Sequence, residues 1–151
     1  MNSPVCIDAS LIVRILVPGP FSQEAESLLS AWLEEDTPLI APALLAFEVT
    51  STLRRMVYLQ ALRPERGEEA FTQFQRIPIR LSHRKGIFPL AWQLAQQFNR
   101  SRAYDTSYLA LAQLNTCEFW TADERLYNAV RNQLEWVRWI GDVQPENPNE
   151  S

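Results

Sequence analysis

Four acidic residues stand where packing alone would not put them. Asp8 ends the apolar run Val5-Cys6-Ile7 and is followed closely by Leu11, Ile12 and Val13. Glu48 is the only charged residue from Thr37 through Leu53. Asp105 opens a stretch in which Tyr108, Leu109, Leu111, Ala112 and Leu114 are apolar, and Asp123 closely follows Glu118-Phe119-Trp120. Taken singly, Asp8, Asp105 and Asp123 suit helix N-caps, which favour Asp. Glu48 does not, because a carboxylate midway along a buried helix face is costly unless it is paired or metal-bound. Together the acids say more. Two unit charges roughly 4 Å apart repel by about 4 kcal/mol at an effective dielectric of about 20, so four clustered carboxylates need a compensating cation near neutral pH. Oxygen-only ligands favour the hard ions Mg²⁺ or Mn²⁺. Such an ion can make a nucleophile from water and steady the leaving oxygen of a phosphodiester.

Other chemistries are excluded by what the chain lacks. His83 is the only histidine, so a metal-free mechanism with two histidines as acid and base cannot be built. No acid-rich motif accompanies His83 to make a Ser-His-Asp triad, and its neighbours Arg84 and Lys85 suggest a surface position. The glycines at 19, 67, 86 and 141 are isolated, which rules out a Gly-rich phosphate loop. Cys6 and Cys117 each lie in an apolar run and read as buried free thiols, too few for a zinc finger. The net charge of −4 opposes nucleic-acid binding only if the charge is spread evenly. Acids gathered in one cleft and loaded with a divalent ion no longer repel phosphate.

The elements that must position these acids alternate. Strands are expected at Val5–Ile7, Pro38–Ile40, Ile77–Leu81, Glu118–Trp120 and Trp136–Ile140. Helices are expected at about Ser10–Leu16, Ser22–Trp32, Pro42–Leu62, Glu65–Arg76, Leu90–Phe98, Asp105–Leu114 and Ala122–Val130. Alternation of this kind predicts an α/β fold with a mainly parallel sheet, whose sites form beyond the carboxyl ends of the strands at a topological switch point. Three of the four acids fall at strand ends or helix starts. The expected organisation is one domain over residues 1–141 and a frayed tail over 142–151, rich in Pro and Asn. With no membrane-length apolar run and no signal-peptide pattern after Met1, the expected location is the cytoplasm.

The pieces Ile7-Asp8-Ala9-Ser10, Glu48 after Pro42, Tyr104-Asp105 leading into Tyr108-Leu109-Ala110-Leu111-Ala112, and Trp120-Thr121-Ala122-Asp123-Glu124-Arg125-Leu126 occur in this order across residues 4 to 140. In that order and spacing the chain resembles the PIN-domain ribonucleases, and among them the VapC-type toxins of toxin–antitoxin pairs. The resemblance implies a three-layer α/β/α domain and metal-dependent endoribonuclease chemistry. It implies Asp8, Glu48 and Asp105 as the principal catalytic and Mg²⁺- or Mn²⁺-binding acids, with Asp123 as the fourth; the adjacent Glu124 is the alternative. It implies supporting roles for the hydroxyls of Ser10 and Thr121. It further implies an RNA substrate, a homodimer, and an antitoxin lying over the site, with exposed apolar surface expected around Phe47, Leu53 and Tyr58. Other readings are a catalytically inactive PIN domain used as an RNA- or protein-binding module, and a stand-alone RNA-processing nuclease. A DNA-directed nuclease of this fold would want an added helical arch, for which 151 residues leave no room. A phosphotransfer domain would want a catalytic Lys, and the sole Lys85 fits only loosely.

Helical spacing extends the site by one residue. Positions i+3, i+4 and i+7 from Glu48 are Ser51, Thr52 and Arg55, which share its face. Arg55 is thus a candidate RNA contact, its planar fork suited to phosphate oxygens, while Arg54 points about 100° away.

Overall fold

The computed structural model describes residues 2–143. Asp142 closes a short 3-10 helix at Ile140–Asp142. The rest of the expected tail, from 144 onward, lies outside the described residues.

The alternation read from the sequence is present. In chain order the elements are β1 (Val5–Ile7), α1 (Ala9–Leu16), α2 (Ser22–Glu34), β2 (Leu39–Pro42), α3 (Leu44–Tyr58), α4 (Pro64–Arg76), β3 (Ile79–Ser82), α5 (Ile87–Gln97), α6 (Tyr104–Leu114), β4 (Glu118–Thr121), α7 (Glu124–Val130) and β5 (Val137–Trp139). The strands form one all-parallel sheet in the order β3-β2-β1-β4-β5, the middle layer of an α/β/α arrangement. Every residue of β1 and β2 is buried. Inner strands of a parallel sheet are covered on both faces, so they read as unbroken apolar runs rather than alternating ones. The edge strand β3 is more exposed, with none of its four residues buried.

Helix α6 is the exception among the helices. It buries Thr106, Tyr108, Leu109, Ala110, Leu111 and Ala112, nearly its whole circumference, and packs on β1, β2 and β4. Its small alanines allow that close approach, while Leu109, Phe119 and Ile7, all fully buried, each add roughly 1.5–3 kcal/mol of apolar burial. Cys6 and Cys117 are buried free thiols. Among the described residues no helix is long and apolar enough to cross a membrane.

Several boundaries shift by one or two residues from the sequence reading, and three differences have a local cause. Pro42 ends β2 rather than opening the next helix; it sits beside Ser82 of β3, and the chain turns at Ala43 before α3 starts. Helix α3 stops at Tyr58, short of Leu62. Gln60 adopts a left-handed φ of 60°, and the Ala61 N–H returns to the Met56 carbonyl. This is a helix-closing turn usually built on glycine, so its side chain gives no warning. Finally, α5 begins at Ile87 rather than Leu90, with Pro89 inside its first turn, where a missing N–H costs nothing.

Candidate active site

The parallel register sets up the site. Ile7 of β1 pairs with Trp120 of β4, so the next residue of each strand, Asp8 and Thr121, emerges side by side at the carboxyl end of the sheet. The chain leaves β1 towards β2 on one side and returns through β4 on the other. Asp8 and Thr121 therefore lie at the switch point, where open sheets of this class form their clefts.

Asp8 is buried and fully engaged. Its Oδ1 accepts from Ser10 Oγ at 2.7 Å and from the Leu11 N–H at 3.0 Å, which makes it the N-cap of α1. Its Oδ2 accepts from Thr121 Oγ1 at 2.5 Å. Both hydroxyls named in the sequence thus touch this carboxylate. They also tie the strand ends together: the Ala122 N–H donates to Ser10 Oγ at 3.0 Å and the Asp123 N–H to Thr121 Oγ1 at 2.9 Å. Burial pushes the Asp8 carboxyl up to about 6 despite these hydrogen bonds, and the neighbouring Asp105 adds to the rise.

Glu48 projects from α3, half-buried, and its Oε1 accepts from the Tyr108 hydroxyl at 2.5 Å. Burial again raises its carboxyl, opposed by the Tyr108 bond and helped by Asp105. Tyr108 itself is buried, and its phenol is held well above the ordinary range by burial and by Glu48. Asp105 lies in the first turn of α6 and makes no capping bond; its Oδ2 instead accepts from Arg100 at 3.2 Å. Asp123 caps α7 through the Leu126 N–H at 3.1 Å. The structural and chemical readings therefore coincide at Asp8 and Asp123, and for Asp105 the capping reading fails.

All four acids line one groove of about 720 Å³, together with Glu124. Asp123 is half-buried and fixed by its cap, whereas Glu124 is exposed. Among the described residues, no three acid, imidazole or thiol groups converge tightly enough to enclose an ion. The set still suits a hard cation. Every charged donor at its centre is oxygen, and Asp105 raises the carboxyls of both Asp8 and Glu48, a repulsion that a divalent ion would relieve. Mg²⁺ keeps several of its waters, so widely set carboxylates can hold it partly through water.

Three residues of the groove were not singled out in the sequence. Tyr108 was masked by the apolar pattern of α6. Arg14 and Arg125 line the groove and bring positive charge to its walls; Arg14 is four residues after Ser10 on α1, a spacing that put it within reach of notice. Arg55 is exposed and does not line the groove, because the face of Glu48 continues through Thr52 and Met56. Of the apolar residues expected at the surface, Phe47 and Tyr58 are 75% and 74% exposed, but Leu53 is buried. Leu53 follows Leu45 and Val49 at four-residue spacing and shares their core-facing side. His83 is exposed, as its charged neighbours suggested.

Comparison with known proteins agrees with this geometry. The family profile described as PIN domain matches residues 5–132. A VapC ribonuclease of Mycobacterium bovis is 30% identical to the chain over 122 residues, which is 81% of this chain and 87% of the relative. Ribonuclease VapC9 of Mycobacterium tuberculosis matches with the same identity and coverage.

Proposed function

The chain belongs to the PIN domain family, among the VapC ribonucleases, and on that premise we propose that it is a metal-dependent endoribonuclease acting as the toxin of a toxin–antitoxin pair. The observation that carries the reading is the single groove in which β1, α3, α6 and the end of β4 bring Asp8, Glu48, Asp105 and Asp123 together. Asp8, Glu48, Asp105 and Asp123 would hold Mg²⁺ or Mn²⁺. When bound, such an ion supplies an acidified water and positive charge against the phosphoryl oxygens.

The residues of the chain do the rest. Ser10 and Thr121 fix the Asp8 carboxylate from two sides and keep it aimed into the groove. Tyr108 does the same for Glu48. Arg14 and Arg125 are set to meet phosphate groups of the RNA on either side of the acids, since guanidinium forks match phosphate oxygens. Arg55, further along α3, is proposed to meet a more distant phosphate. The exposed Phe47 and Tyr58 are proposed as docking points for a second copy or for an antitoxin that covers the groove.

One observation favours a second reading, in which the groove binds RNA without cutting it. Arg100 already supplies a positive charge to Asp105. Incubating the purified chain with RNA in Mg²⁺ separates the two. Cleavage that is lost in EDTA and in Asp8→Asn and Asp105→Asn variants is the expected result. Full activity in excess EDTA would overturn the metal mechanism, and bound but intact RNA in Mg²⁺ would favour the second reading.

A further inference from the structure

A second groove, of about 670 Å³, opens on the other side of the wall formed by the starts of α3 and α6. Its lining includes Phe88 and Trp92 of α5, Tyr104 at the start of α6, and Arg84 and Arg102 from the flanking loops. The three aromatic rings are 71%, 66% and 56% exposed in that order. Arg84 and Arg102 are the only arginines or lysines in the lining, and no acid lines it at all. That is notable in a chain whose net charge is −4. Among the described residues neither arginine takes part in an ion pair.

The two grooves adjoin. Tyr104 lines this one and its neighbour Asp105 lines the acid groove; Ser107 lines this one and Tyr108 the other. On α3, Leu44 faces this groove, and Glu48, one turn later, faces the acids. A polymer lying across the acids is therefore led over Tyr104 onto Trp92 and Phe88, which are four residues apart and share one face of α5.

We propose that this aromatic and basic groove is a subsite for an unpaired RNA strand, in which bases stack on Trp92, Phe88 and Tyr104 while Arg84 and Arg102 meet the phosphates. The inference rests on the ribonuclease reading and adds to it the residues that would hold the strand beside the scissile bond. Exposed aromatic faces interleaved with guanidinium groups are how proteins hold single strands, because every base offers a face to stack on. A duplex hides those faces and offers only its backbone and shallow groove. Charge decides for RNA over an apolar partner, since the aromatics come with two positive charges and no negative one.

The test measures binding, so that it does not depend on cleavage. A short, unstructured, fluorescein-labelled RNA is titrated in Mg²⁺ with the full chain carrying Asp8→Asn, which leaves the RNA intact. The same titration is run with Trp92→Ala, Trp92→Phe or Arg102→Ala added, and with a duplex of the same sequence. Stacking is worth about 1–3 kcal/mol per base, so Trp92→Ala is expected to weaken single-strand binding by roughly 5- to 150-fold. Trp92→Phe should keep most of the affinity, and Arg102→Ala should lower the salt slope by about 0.7. Duplex binding should change little in any of them. Unchanged single-strand affinity in Trp92→Ala would overturn the proposal, as would equal losses for strand and duplex. Conversion of a dimer to a monomer by Trp92→Ala, with RNA affinity intact, would assign the aromatics to a second copy and also overturn it. A parent chain that never cleaves RNA would overturn the ribonuclease reading alone; Trp92-dependent binding would still support the subsite.

Discussion

Replacing Asp8 by asparagine separates the cost of the site from its chemistry. Burial and the nearby Asp105 lift the Asp8 carboxyl from its ordinary 3.8 to about 6. Each unit is about 1.36 kcal/mol, so holding Asp8 ionised costs the metal-free native state roughly 3 kcal/mol above the folded value. The sign follows from proton binding. Between 3.8 and about 6 the folded chain holds a proton that the unfolded chain has lost, so this group makes stability fall as pH rises through that window. The cost is absent below it and complete above it. An amide of the same shape removes the charge. Its oxygen keeps the bonds from Ser10 and Leu11, and Thr121 can turn its hydroxyl proton towards Ser10 Oγ, 3.3 Å away. Allowing about 1 kcal/mol for that rearrangement, Asp8→Asn should stabilise the chain in EDTA at neutral pH by about 2 kcal/mol, a rise in Tm of roughly 4–8 °C at this size. The gain should shrink as pH is lowered from above 6 towards 3.8. Added Mg²⁺ should raise the Tm of the parent by mass action and leave the variant nearly unmoved. Thermal unfolding followed by circular dichroism across pH reads all of this. A variant no more stable than the parent at neutral pH in EDTA would refute the argument that the native fold bears a strained charge at Asp8.

Tyr108→Phe removes the donor that holds Glu48. The Glu48 carboxyl should then rise further, moving the acid limb of the pH–rate profile to higher pH and lowering the rate at neutral pH by about tenfold. Arg100→Ala frees Asp105 from a guanidinium at 3.2 Å, with side chains 32% and 42% exposed; Mg²⁺ affinity measured by calorimetry should tighten by up to about fivefold, the ceiling for such a part-exposed pair. Arg14→Ala, Arg125→Ala and Arg55→Ala should each lower the salt slope of RNA binding by about 0.7. Arg54→Ala should not, because Arg54 lines a different groove between α3 and α4; equal slopes for Arg54→Ala and Arg55→Ala would remove α3 from the path of the RNA.

What the sequence revealed and what it hid have physical reasons. Asp8 and Asp123 were legible because apolar strands stop near them, and a parallel sheet puts such stops at its binding edge. Glu48 was legible because it is the one charge in a long apolar stretch. Tyr108 was not, since a phenol in a helix buried on nearly every side looks like any core aromatic until its hydroxyl is seen to reach Glu48. Arg100 was hidden because its reach to Asp105 depends on the path of the loop between α5 and α6. The burial of Leu53 was available from its spacing to Leu45 and Val49, whereas the stop of α3 was not, because Gln60 takes a backbone shape that its side chain does not advertise.

The bond from Thr121 to Asp8 spans 113 residues, and β1 gains its β4 neighbour only when that distant strand arrives. A ribosome adding about 5–20 residues per second has therefore released β1 for several seconds before its second flank exists. Throughout that interval one side of β1 is an open template for pairing, and the groove lacks Asp123 and the hydroxyl that aims Asp8. A chain broken off before Thr121 lacks both that hydroxyl and Asp123 and cannot assemble the groove. The late completion of the sheet thus orders assembly: the groove is whole only once the chain through Asp123 has been made.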